Sequence, residues 1–179
     1  MRPTPDNLKD ILECNPETGT LKWKARPRGD FKNERGWKIH VARYANKQAG
    51  HHSDEYSKVR INDVGYRSHR IIWELVNGPI PKGMQVDHVN GNKKDNRLVN
   101  LRLATHGQNQ QNSPASKSNR CGLKGVSFVK RRSHLPTPWT AYIKHDNVRT
   151  WLGLFHTKGS AAAAYAKAAI RYHNQFART

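Results

Sequence analysis

Between Met84 and Asn112 the chain runs MQVDHVNGNKKDNRLVNLRLATHGQNQQN, and the polar residues of this stretch are those with chemistry to offer. Asp87 and His88 stand side by side within an apolar run; Asn100 follows His88 by 12 residues and Asn109 follows by a further 9. Burying an aspartate or a histidine costs free energy unless the group is paired or ligated, so their position calls for a partner. A carboxylate and an amide oxygen together form a hard-oxygen site suited to one Mg or Mn ion held against a scissile phosphate. A neighbouring histidine, whose ordinary pKa lies near 6.5, is mostly free to accept a proton from water at neutral pH, provided a second group fixes its tautomer. An asparagine side-chain oxygen is able to do so. The types and spacing therefore suit phosphodiester hydrolysis.

Two strand-like pieces must position these residues, one through Met84, Val86 and Val89 and one through Leu98, Leu101 and Leu103. Thr105 is placed to cap a helix that begins at His106. The order is strand, loop, strand, helix. Asn90-Gly91 between apolar runs would make a tight hairpin turn in any protein, but a plain hairpin leaves Asp87, His88 and the asparagines unexplained. Strand alternation would bury one of Asp87 and His88. A calcium-loop reading fails, because Val89 and Gly91 offer no alternating side-chain oxygens and no glutamate closes the loop.

The segment Asp87-His88-Val-Asn-Gly-Asn-Lys-Lys-Asp-Asn-Arg-Leu-Val-Asn100-Leu-Arg-Leu-Ala-Thr105, with Asn109 and Asn112 beyond it, resembles the HNH endonucleases of the ββα-metal fold. It is similar to the phage and intron-homing branch, whose pattern is DHxNGxxxDNRxxNLRxxT. The resemblance implies that Asp87 ligates one divalent metal ion, Mg or Mn, at the strand end, that His88 is the general base, that Asn100 orients it and that Asn109 is the second protein ligand. The third letter of the family pattern is often His; here it is Asn109, with His106 and Asn112 as nearby competitors. Many relatives also carry zinc-binding cysteines that this chain lacks, so residues 1–83 must supply the corresponding packing. Ser68-His69-Arg70 and the Trp-Glu-Leu that follows also look like what precedes the motif in phage homologues, with His69 expected in a structural or phosphate-contacting role.

Upstream, the sequence predicts a short amphipathic start at Leu8 to Leu12, a strand in TLKWK, an irregular stretch from Gly29 to Asp54, a hairpin around Asp63-Val64-Gly65 and a short helix in IIWELV that Asn77-Gly78-Pro79 stops. His51-His52 lacks a third ligand at metal-binding spacing and is expected in a solvated loop. Cys14 and Cys121 form no paired motif, which excludes a cysteine-rich zinc site or a disulfide framework.

Downstream, NSPASKSNRCG is expected to be an exposed linker. After it, KGVSFVKRR, WTAYIK and VRTWLGLFH alternate as three short strands, and Thr157 or Ser160 caps a helix whose Tyr165, Ala169, Tyr172 and Phe176 make one apolar stripe. A basic, aromatic sheet of this kind is able to lie in the DNA major groove. Through Gly125-Val126, Trp139-Thr140-Ala141, Trp151-Leu152-Gly153-Leu154-Phe155, Thr157 and Ala163-Ala164-Tyr165, the stretch Lys124 to Arg178 resembles the Apetala/ethylene-response-factor DNA-binding domain. That resemblance implies DNA contact by Tyr142, Lys144, Arg149 and Trp151, with Lys130, Arg131 and Arg132 contacting phosphates from the adjacent loop. The two arginines that usually follow the Gly-Val are replaced by Ser127 and Val129, so the base preference of the plant proteins is not carried over.

Charge agrees with a polyanionic partner. In 179 residues, 32 Lys and Arg oppose 13 Asp and Glu, for a net +19. Residues 113–179 hold 12 basic residues against Asp146 alone, while residues 1–112 hold 20 against 12. No window approaches 18 consecutive apolar residues and the first residues do not form a secretory signal, so a membrane protein is excluded and a cytoplasmic location, in a bacterial or phage-infected cell, is expected. The sequence thus predicts an α+β protein: a ββα-metal nuclease domain over 1–113 with a β-rich N-terminal extension, a linker over 114–121, and over 122–179 a three-stranded antiparallel sheet plus one helix. The expected activity is metal-dependent hydrolysis of double-stranded DNA by a monomer, with no protein partner inferred. A DNA-binding regulator with a purely structural nuclease half is the alternative.

Overall fold

The computed structural model describes residues 5–52 and 55–178, and these form a mixed α/β protein of small sheets. By contact density the chain divides into two compact units, Met1–Ala104 and Thr105–Thr179. The division falls ahead of residues 114–121, so the helix that begins at His106 goes with the second unit.

The first unit opens with α1 (Pro5–Ile11), β1 (Leu12–Asn15) and β2 (Thr20–Trp23). Helix α2 (Glu34–Arg43) follows, then the short strands β3 (Gln48–Ala49) and β4 (His51–His52). Next come β5 (Ser57–Ile61), β6 (Val64–Arg67), α3 (Ser68–Asn77), β7 (Met84–His88) and β8 (Leu101–Thr105). The strands form three sheets, in the orders β1-β2-β3, β4-β5-β6 and β7-β8. The expected hairpin is present, but its two-residue turn is Asn62-Asp63, both at positive φ, because Ile61 pairs with Val64. Alternation along β5 buries Ser57, Val59 and Ile61 and exposes Lys58 and Arg60. Val59 and Ile61 join Leu12, Leu21, Ile71 and Ile72 in one core, under which α3 lays its Ile71-Ile72 face. Gly78, at φ 83°, ends α3 as the sequence predicts.

The stretch expected to be irregular contains α2. Asn33 caps it by accepting from the Gly36 amide at 2.8 Å, and the helix buries none of its residues. Its apolar residues lack the spacing of a core-facing stripe, so periodicity carried no signal. His51 and His52 form a two-residue strand rather than a loop. Among the described residues no cluster of three or more His, Cys, Asp or Glu is placed to hold a metal ion, and no helix is long and apolar enough to cross a membrane.

The second unit comprises α4 (His106–Asn112), β9 (Val126–Phe128), β10 (Trp139–His145), β11 (Val148–Phe155) and α5 (Lys158–His173). Its antiparallel sheet has the order β11-β10-β9. Thr157 caps α5 and forms a reciprocal pair with Ser160, so both candidate residues take part. Tyr165 and Ala169 of the stripe are buried with Val126, Ala141 and Ile143 of the sheet. Gly125 permits this closeness: at φ 69°, a Cβ there would stand 2.2 Å from the Tyr165 ring and 2.4 Å from the Tyr142 carbonyl.

Candidate active site

Strand β7 ends in three consecutive buried residues, Val86, Asp87 and His88, where simple alternation would expose one. Each polar side chain has found a partner. Asp87 Oδ2 accepts from Arg102 Nη2 at 2.9 Å and from Nε at 3.1 Å, Arg102 lying on β8, the strand paired with β7. His88 Nε2–H donates to Asn96 Oδ1 at 3.0 Å. An amide oxygen only accepts, so the proton sits on Nε2 and the ring's lone pair on Nδ1.

The expected orienting residue, Asn100, holds the loop instead. Its Oδ1 accepts from the Asn90 amide at 3.0 Å, its Nδ2 donates to the Asp95 carbonyl at 2.7 Å, and its own carbonyl accepts from the Val89 amide at 2.8 Å. Asn100 closes both ends of the polar loop, and Asn96, inside that loop, reaches the imidazole. Asn96 and Asn100 are both buried. Spacing within the motif did not distinguish these two asparagines, since their roles depend on how the loop curls back.

The loop is braced from outside as well. The turn between β1 and β2 lies against it, with the Leu98 amide donating to the Pro16 carbonyl at 2.8 Å. Gly19 in this turn has φ 68°, and a Cβ on it would stand 2.3 Å from the Asn96 carbonyl carbon. Only glycine allows that approach. Residues 1–83 therefore supply packing to the motif.

His69, on α3, is 3% exposed, and its ring meets that of His88 edge to face at a centroid distance of 4.8 Å. Tyr56 completes the group, 5.4 Å from His69 and 6.3 Å from His88. Burial, aided by His88, Arg67 and Arg70, pushes the His69 pKa down to about 3. Burial also holds His88 below its ordinary 6.5, against the raising effects of the Asn96 hydrogen bond and of Asp87 and Asp95. Both rings are neutral at pH 7. Arg97 bonds Asp95 and holds its carboxyl down to about 2, so that loop side chain is ionised.

Asn109 lies half-buried on α4 in the second unit, and His106 and Asn112 flank it there. Thr105 and Gln108 form the capping box that starts α4. The helix's end is held by Lys124, whose Nζ donates to the Gln110, Gln111 and Ser113 carbonyls at 2.9, 2.6 and 2.7 Å. Burial and the nearby Arg178 push this ammonium down to about 8.

On the C-terminal sheet, Tyr142 pairs with Trp151 and Lys144 with Arg149. The Arg149 guanidinium lies 4.0 Å from the Tyr142 ring centre. Trp151 is 57% exposed and therefore not a core residue; its Nε1–H donates to Thr140 Oγ1 at 3.1 Å, which fixes the indole on the outer face. Lys130 and Arg131 are exposed on a turn of 3₁₀ helix over Lys130–Arg132, and the side chain of Arg132 falls outside the described residues.

Residues 66–111 match the family model described as HNH endonuclease. Protein 3.8 of Escherichia phage T7 is 45% identical over 84 residues, which span 47% of this chain and 69% of that protein. An uncharacterized HNH endonuclease, L560, of Acanthamoeba polyphaga mimivirus is 45% identical over 60 residues, covering 33% of this chain and 32% of that one. A solved structure titled "DNA binding and cleavage by the HNH homing endonuclease I-HmuI" aligns over 97% of this chain and 92% of that one, with a TM-score of 0.43 and 17% identity.

Proposed function

The chain belongs to the family of phage T7 protein 3.8 and carries an HNH endonuclease domain over residues 66–111, and on that premise we propose that it is a metal-dependent endonuclease hydrolysing double-stranded DNA. The observation that carries this reading is the buried His88, held in one tautomer by Asn96 directly after a buried carboxylate at a strand end. In this mechanism the Nδ1 lone pair takes a proton from water as the water oxygen attacks phosphorus. The P–O bond to the leaving deoxyribose oxygen then breaks.

Asp87 and Asn109 would hold the ion, and their carboxylate and amide oxygens are the hard donors that Mg or Mn prefers. When bound, the ion supplies charge stabilisation to the leaving oxygen. Arg102 pairs with Asp87 in its buried setting and holds the carboxylate in place beside His88. Asn96 fixes the base, and Asn100 fixes the loop that carries Asn96.

The C-terminal sheet reads DNA in this proposal. Tyr142, Lys144, Arg149 and Trp151 present a face of stacked cation and aromatic groups, and Lys130, Arg131 and Arg132 contact phosphates beside it. One catalytic centre and a separate reading face suit a monomer acting in a phage-infected cell, one strand at a time.

Digestion of supercoiled plasmid with Mg present or chelated, followed by mapping of the ends, tests the proposal. Nicked or linear product in Mg alone is expected. Plasmid left intact by pure protein across Mg and Mn concentrations would overturn it.

A further inference from the structure

The exposed face of the β4-β5-β6 sheet carries a row of basic side chains that the activity above does not use. Pairing sets His51 opposite Lys58 and Lys58 opposite Arg67, so the three stand in line across the strands, and all three are exposed. Neighbouring strands lie about 4.8 Å apart, which spaces the row at roughly that interval. One step along the same face, Arg60 pairs with Gly65, and a Cβ on Gly65 would meet nothing within 4 Å. The face is open there.

The row ends beside the candidate base. The Arg67 guanidinium lies 4.3 Å from the centre of the Tyr56 ring and Lys93 Nζ lies 4.8 Å from the same centre. Tyr56 in turn belongs to the ring group with His69 and His88. Glu55 bonds Lys93 at 3.0 Å and holds its pKa up, so the ammonium stays charged. A cation held against an aromatic ring keeps its place while its outer side remains able to take an anion.

We propose that His51, Lys58 and Arg67, continued by Lys93, form a track for the DNA phosphodiester backbone flanking the scissile bond, distinct from the C-terminal reading sheet. This rests on the nuclease reading and names the surface by which the catalytic unit grips its substrate. Three features favour a phosphate backbone over other occupants. Its residues are exposed, with Lys58 and Arg67 as adjacent cations; it follows a straight line across the strands; and it runs towards the ring that would take the water proton. Backbone contacts of this kind position a duplex without reading its sequence.

The test uses the full chain and a duplex spanning a mapped cut, with single phosphates replaced by uncharged methylphosphonates. Binding is measured in chelator and cleavage in Mg. For the wild type, neutralising phosphates next to the cut should weaken binding. Lys58→Gln and Arg67→Gln should each lose sensitivity at one of those positions, raise KM with kcat at saturating DNA little changed, and lower the slope of log affinity against log salt by about 0.9. Lys38→Gln on α2 makes the same change in net charge and should leave the pattern near the cut as it is in the wild type. Thermal unfolding identifies a misfolded variant, and either substitution suffices if the other fails to fold. Variants with the wild-type salt slope and interference pattern would overturn the track. A wild-type protein that binds but never cuts in Mg would instead overturn the nuclease reading, and the salt slopes would still decide the track.

Discussion

His88 and Asn96 are joined by a 3.0 Å hydrogen bond from Nε2–H to Oδ1, and this contact, rather than one from Asn100, sets the tautomer of the candidate base. Asn96→Ala should lower kcat by about 10- to 1,000-fold while DNA affinity is kept, because an unfixed imidazole spends time with the wrong nitrogen protonated. The hydrogen bond raises the His88 pKa, so its loss should also move the acid limb of the pH profile further down. A profile superimposable on that of the wild type would show that Asn96 does not orient the base.

Asn100→Ala should act through the fold. It removes the partners of the Asn90 amide and the Asp95 carbonyl, which should cost about 1 to 3 kcal/mol in denaturant unfolding. Any loss of cleavage should follow the loss of folded protein. Inactivity at full stability would restore to Asn100 the direct role that the motif implies.

His88→Ala should leave DNA affinity nearly intact and reduce cleavage by about 100- to 10,000-fold. The base must be neutral, and burial holds its pKa below 6.5, so kcat/KM should fall as pH drops through a midpoint on the acid side of 6.5. A midpoint above 6.5, or wild-type rates from the variant, would exclude His88 as the base.

Asp87→Ala should abolish metal-dependent cutting. Arg102→Gln offers a stability readout of the same site, since removing one partner of a buried ion pair costs about 3 to 5 kcal/mol. A divalent ion on Asp87 would offset part of that loss. Mg should therefore raise the Tm of Arg102→Gln more than that of the wild type; equal shifts would argue against an ion at Asp87.

His69 gives the protein a pH-dependent stability term. Its folded pKa of about 3 lies below the ordinary 6.5, so between these values the unfolded chain binds a proton that the folded chain refuses. The neutral ring's contribution is complete above pH 6.5 and is lost as pH falls, by about 2 kcal/mol at pH 5. Urea unfolding at pH 7 and 5 checks this, and His69→Phe should flatten that part of the curve.

Much of this protein was legible in the sequence because its elements carry local signals. Thr105 and Thr157 start helices through side chains that bond three residues ahead, and Gly78 ends α3 through its positive φ. Alternation along Ser57–Ile61 gave one buried and one exposed face, and the dense motif from Asp87 to Thr105 singled out the chemistry. Helix α2 escaped detection because it buries nothing, so no apolar period marks it. The separate roles of Asn96 and Asn100 escaped because both are asparagines in one loop, and only the curl of that loop against Gly19 and the β1–β2 turn decides which amide meets the ring. Tertiary structure likewise decided that Arg102 pairs with Asp87, that Tyr56 and His69 close around His88, and that Lys124 seals the end of α4. Those contacts join residues 11 to 32 positions apart, where no local periodicity exists for a sequence to display.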